Sequence, residues 1–228
     1  MLFAGVTASR ITRICITHFH GDHCLGLPGV LARMSLDRVS HPVEACYPAQ
    51  HQEVFTRLRH AAVFRDAVDL REHPAEAGLV MQAAAFGVEA RPLSHTVPAL
   101  GYRLAEAGGR RMLPDRLAAF IMDTRLCDAA FELADGADMV VCESTFADTE
   151  AALAREYGHL TASQAGRIAA ESRARLLVLT HFSQRYEHDD GQQLAAQAAA
   201  AFGGPVILAH DLDRIPVPAR HPPATRRL

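Results

Sequence analysis

The chain has 228 residues, 49% of them hydrophobic, enough for one large domain with a sizeable buried core. A formal net charge of −3 gives no sign of a strongly basic nucleic-acid protein, though a local basic patch stays open. No apolar run approaches the ~18–20 residues of a membrane span. With no signal peptide, the five cysteines (Cys15, Cys24, Cys46, Cys127, Cys142), an odd number without a CxxC pair, read as reduced, mostly buried thiols of a soluble cytoplasmic protein.

In chain order, a strand is expected over 11–17, then helices over 27–36 and 50–63. Strands follow over 86–93, 102–105 and 119–122, a helix over 127–133, and a strand over 139–143. Helices over 151–157 and 162–173 precede a strand over 176–180, a helix over 192–202 and a last strand over 206–209. Short apolar or β-branched runs alternating with Ala-rich amphipathic stretches favour an α/β architecture. Thr161-Ala162-Ser163-Gln164 has the spacing of a capping box, with Thr161 as N-cap. Gly87 and the Gly101-Tyr102 pair read as strand punctuation. Residues 1–215 are expected to form one domain, and 216–228, rich in Pro and Arg, a poorly ordered tail.

Thirteen histidines stand out, several of them clustered. In Thr17-His18-Phe19-His20-Gly21-Asp22-His23, four potential ligands follow directly on a strand. His18 and His20 alternate as the strand ends, so both imidazoles can face one metal. Asp22 and His23 come after a glycine, where the chain can turn them toward a second. Imidazole nitrogen with one carboxylate is zinc-like ligation. Four ligands do not fill two sites, so others are expected downstream. His95, Asp123 and His181 each sit where an expected strand emerges, the edge on which open α/β folds place their sites.

The His-x-His-x-Asp-His motif resembles the metallo-β-lactamase superfamily. The segments from Ser94 to Arg103, Met122 to Arg125 and Thr180 to Tyr186 are similar to the ribonuclease Z family in particular, and the likeness runs over nearly the whole chain. That resemblance implies an αββα sandwich of two mixed sheets flanked by helices, here shortened at its N-terminus. It implies two zinc ions: His18, His20 and His95 on the first, Asp22, His23 and His181 on the second, and Asp123 bridging them. The activity implied is two-metal hydrolysis of precursor tRNA on the 3′ side of the discriminator nucleotide, by a cytoplasmic homodimer that takes RNA rather than DNA and no membrane partner. Asp22 would orient or deprotonate the attacking water. His159, in a loop similar to a His-Ser-Thr loop of the family, would act as general acid. Glu143, in Cys142-Glu143-Ser144-Thr145, would orient His159. From the residues alone, His159 also fits an exposed loop position, and Glu143 a carboxylate paired with an arginine. Since His159 precedes a capped helix whose N-terminus favours anions, a phosphate near His159 is a further expectation.

Three departures from the family pattern bear on substrate. Its N-terminal strands and its long Gly/Pro-rich arm after the Gly-Tyr-Arg segment have no counterpart, and Cys142 stands where a His is usual. Lost strands would leave a sheet edge exposed, and a lost arm removes phosphate contacts. Two further readings therefore stand beside the first: a phosphodiesterase of the same fold acting on small esters, and an inactive shortened copy that binds zinc.

Overall fold

The computed structural model describes residues 5–106, 116–189 and 191–219. Two sheets carry the architecture. The smaller has the order β1-β2-β3 (Arg13–Cys15, Val43–Pro48, Leu70–Ala75), all parallel. The larger has the order β10-β9-β8-β7-β6-β5-β4. Its strands β4 (Gly78–Gln82), β5 (Phe86–Leu93), β6 (Ala99–Glu106) and β7 (Leu117–Ile121) pair antiparallel. From β7 onward the pairing turns parallel through β8 (Met139–Glu143), β9 (Leu176–Thr180) and β10 (Val206–Leu208).

Alternation along the strands assigns each face its partner. Val43, Ala45 and Tyr47 of β2 face outward onto α2 (Leu27–Leu36) and α3 (Gln52–Arg59), where Leu31, Met34 and Phe55 complete a dry cluster. The next residue in that alternation, Cys46, faces inward and meets Met81, Val88, Ala90, Leu100 and Tyr102 of the large sheet. On the large sheet, Val140, Cys142, Leu177 and Leu179 point outward. They pack against α4 (Asp128–Ala134), α6 (Ala162–Glu171) and α7 (Gln192–Phe202). Their neighbours Met139, Leu176 and Val178 point inward and are covered by Ile215 and Val217 of the C-terminal segment. The four layers form the αββα sandwich that the resemblance implies.

The two sheets are stitched where the first ligand segment begins. Ile16 N donates to Cys46 O at 2.8 Å, and one residue later Thr17 O accepts from Leu100 N at 2.8 Å. The chain leaves one sheet and bonds to the other, so β1 stops at Cys15 rather than running to residue 17. The buried Tyr102 hydroxyl donates to Ile16 O at 2.7 Å and locks the same junction. Ala8–Arg10 form a 3-10 turn, which delays the strand's start from 11 to 13.

Other expectations shift for similar reasons. The helix expected over 50–63 is a 3-10 turn at Ala49–His51 followed by α3, which ends at Arg59. Strands β2, β3 and β4 were not expected at all. Of the two glycines read as punctuation, Gly87 lies inside β5, whose bounds match the expected strand, and Gly101 lies inside β6, which starts at Ala99 rather than 102. A Cβ on Gly101 would sit 2.4 Å from Leu133 Cδ1, so the glycine lets α4 approach the sheet. Cys15 is exposed, whereas Cys24, Cys46 and Cys142 are buried, and all five thiols are free. Of the expected tail, Val217 packs on the sheet and Ala219 O accepts from Arg175, while 220–228 lie outside the described residues, as does 107–115 within the stretch where an arm was sought. Among the described residues β1 has a partner on one side only, so the small sheet presents an open edge there. No helix among the described residues is long and apolar enough to cross a membrane.

Candidate metal centre

Four loops at one edge of the sandwich converge. Strand β1 leads into His18 and His20, and the single turn α1 (Gly21–Cys24) carries Asp22 and His23. Strand β5 ends at Leu93 and delivers His95, β7 ends at Ile121 and delivers Asp123, and β9 ends at Thr180 and delivers His181. The Met122–Asp123 peptide is cis. His181 has φ 58°, a left-handed backbone that histidine adopts more readily than most residues and that recurs at functional sites.

Asp123, 2% exposed, is the centre of the cluster. Its Oδ2 lies 3.3 Å from Nε2 of both His23 and His181, 3.6 Å from His18 Nε2 and 4.0 Å from His95 Nε2. His20 Nδ1 is 3.2 Å from His95 Nε2, and His23 Nε2 is 3.2 Å from His181 Nε2. Asp22 is the exposed member, at 71%, with Oδ2 3.3 Å from His23 Nε2 and 3.9 Å from His181 Nε2. The ligand atoms of His18, His20 and His95 fall within 4.8 Å of one another, as do those of Asp22, His23 and His181.

The electrostatics suit a cation. Burial, reinforced by the neighbouring His23, pushes His18 down to about 3, so its ring is neutral. Burial also lowers His95, against the hydrogen bond to Gly158. Asp123 is pushed up by burial, but the hydrogen bond from His23 and the charges of His181, His23 and His18 outweigh this and hold it at about 2. Burial lowers His23 too, but the hydrogen bond and charge of Asp123 prevail and raise it. A neutral His18 beside an ionised Asp123 is the pairing that metal binding needs. Two buried atoms, His18 Nε2 and Asp123 Oδ1, have no hydrogen-bond partner among the described residues. A buried polar atom without a partner is costly, and a divalent ion accounts for both.

A second group of side chains orients these rings. His95 Nδ1 is 2.8 Å from Gly158 O. Gly158 closes α5 (Ala151–Tyr157) with φ 80°, and a Cβ there would lie 2.9 Å from His95 Nδ1. The glycine thus permits both the turn and the close approach. His18 Nδ1 lies 3.1 Å from Thr17 Oγ1. Glu143, 0% exposed, accepts from Thr124 N at 2.8 Å, Leu160 N at 3.1 Å and Thr145 Oγ1 at 2.6 Å. Its Oε1 is 3.1 Å from His159 Nδ1, so its partner is His159 rather than an arginine. His159 is half-buried rather than loop-exposed, and its ring stacks on His181 at 5.3 Å. Burial lowers its pKa, yet the Glu143 hydrogen bond and charge prevail and raise it.

At the N-terminus of α6 the first amides are engaged within the chain. The capping box is present, and Ala162 N bonds Phe146 O, Ser163 N bonds Asp148, and Gln164 N bonds Thr161 Oγ1. Sequence reasoning missed Thr145, Thr124 and Gly158. Thr145 lies two residues after Glu143, but its contact with His181 spans 36 positions and no spacing rule announces it.

Sandwich and site together define a metal-dependent hydrolase of the metallo-β-lactamase fold, and residues 4–182 match the model of the β-lactamase superfamily domain. The chain belongs to the ribonuclease Z family of hydrolytic nucleases. It is 50% identical to a ribonuclease Z of Nocardia farcinica, over 96% of this chain and 85% of that one. With a ribonuclease Z of Streptomyces avermitilis the identity is 47%, over 97% and 85%. The crystal structure of human tRNase Z, short form, superimposes with a TM-score of 0.75 at 29% identity, covering 95% of this chain and 83% of that one. The match to the Nocardia protein extends over 261 residues, more than this chain contains, so that relative carries residues within the match that have no counterpart here.

Proposed function

We propose that the chain is a zinc-dependent endoribonuclease that cleaves precursor tRNA on the 3′ side of the discriminator nucleotide, acting in the cytoplasm as a homodimer. The observation that carries the metal reading is the meeting of four imidazoles on one buried carboxylate oxygen, Asp123 Oδ2. The relatives' names and the family membership support the tRNA substrate.

His18, His20 and His95 would hold one zinc, Asp22, His23 and His181 the other, with Asp123 shared. When bound, such ions polarise a phosphodiester and lower the pKa of an attacking water. The remaining work falls to this chain's own groups. Asp22, whose carboxylate is open to solvent, orients the attacking water or accepts its proton. Glu143 occupies His159 Nδ1, which leaves Nε2 to donate a proton to the departing 3′ oxygen. The hydrogen bond and charge of Glu143 raise the pKa of His159, which favours the protonated form.

Replacing Asp123 by Ala is expected to drop zinc content below two per chain and to abolish cleavage. Near-normal turnover with two zincs retained would contradict the assignment. A second reading, hydrolysis of small phosphodiesters, is favoured by the residues that the Nocardia relative carries within the match and this chain lacks. Good turnover of bis(p-nitrophenyl) phosphate alongside a poor KM for precursor tRNA would select it.

A further inference from the structure

We propose that Thr145 is a positioning residue that fixes the tautomer and orientation of His181 and couples that ring to the carboxylate holding His159. The argument rests on the two-metal reading above and follows from one hydroxyl having one hydrogen. Thr145 Oγ1 lies 2.6 Å from Glu143 Oε2 and 2.9 Å from His181 Nδ1. The carboxylate of Glu143 already accepts Thr124 N on Oε1 and Leu160 N on Oε2, and the hydroxyl hydrogen goes to Oε2 as well. The oxygen then has only lone pairs to offer His181, and Nδ1 must be the nitrogen that carries hydrogen. Its Nε2 is left bare. Nε2 is also the atom that faces Asp123 Oδ2 at 3.3 Å and His23 Nε2 at 3.2 Å. The hydroxyl thereby presents the ring in the one tautomer able to ligate from that side.

Three features make this arrangement specific. Thr145 is buried, at 6% exposure, so water does not readily substitute for the hydroxyl. Its neighbour Ser144 is pinned by a backbone bond from Ser144 N to Thr180 O at 2.9 Å, which ties the loop after β8 to the residue preceding His181. The other oxygen of the same carboxylate lies against His159 Nδ1, so one buried acid sets two stacked imidazoles. A Val at 145 keeps the branched shape and removes only the hydroxyl.

The test begins with the metal-free full chain titrated with zinc against a chromophoric chelator. Wild type is expected to bind two zincs. Thr145→Val should weaken one of them by roughly 10–100-fold, and Thr145→Ser should restore it, with the metal-free proteins melting alike. Wild type binding two zincs and Thr145→Val matching it at both would overturn this proposal alone. Wild type binding fewer than two would overturn the two-metal reading, and this proposal with it. Should the valine variant fail to fold, long-range proton–nitrogen correlation spectra of the zinc-loaded wild type decide. Hydrogen on Nδ1 of His181 supports the proposal, and hydrogen on Nε2 overturns it.

Discussion

At the scale of single residues, the chain separates side chains that face the centre from those that hold them. His159 belongs to the first group without being among the expected metal ligands. His159→Ala should lower kcat by roughly 10²–10⁴, the usual worth of a general acid, while zinc content stays at two per chain. A loss of zinc in that variant would make His159 a ligand instead. Its acid role also carries a pH signature. The folded-state pKa is raised above 6.5 because the hydrogen bond and charge of Glu143 outweigh burial. The protonated, competent form therefore prevails below that raised pKa and is lost as pH rises through it. Glu143→Gln keeps the shape but removes the charge, so the pKa falls and the alkaline limb of single-turnover cleavage should move to lower pH. A limb that stays in place would show that another group sets it.

Legibility followed the same division. His18, His20, Asp22 and His23 were visible because one short segment carries them, and His95, Asp123 and His181 because each closes a recognisable strand. Thr145 and the carbonyl of Gly158 were not visible. Their contacts with His181 and His95 join residues 36 and 63 positions apart, and nothing in local spacing encodes them.

At the scale of elements, periodicity served well where a segment faced one layer. Strands β5, β8 and β9 and helices α2, α5 and α7 fall where their patterns put them. The three strands missed are atypical. Strand β3 contains Pro74 and several charged residues, tolerable because it is an edge strand, and β2 ends on Pro48 and is buried nearly throughout. The close pairing of α6 and α7 was likewise hidden. A Cβ on Gly166 would lie 2.4 Å from Ala198 O and 2.9 Å from Ala201 Cβ, so no side chain fits without separating the helices. Gly166→Ala should cost about 1–3 kcal/mol, as overpacking does, and lower Tm by several degrees. An unchanged or higher melting temperature would mean that the helix gains more from alanine's propensity than the interface loses.

At the scale of the whole molecule, two layers of sheet bring loops from distant parts of the chain to one edge, and the centre exists only because both sheets are present. The crossing at Ile16–Thr17, bonded to Cys46 on one sheet and Leu100 on the other, sets the first His/Asp segment against the large sheet, so the cluster and the fold depend on one another. The substrate is a question of reach rather than of chemistry. Phosphate contacts dominate nucleic-acid affinity, and the Nocardia relative carries residues within the match that this chain lacks. The most direct test is cleavage of a 3′-extended precursor tRNA by the zinc-loaded full chain, with Asp22→Ala as control. Cleavage after the discriminator nucleotide that vanishes in the control is the predicted result. Two zincs bound and a small phosphodiester hydrolysed, with the precursor tRNA left intact, would contradict the proposed substrate.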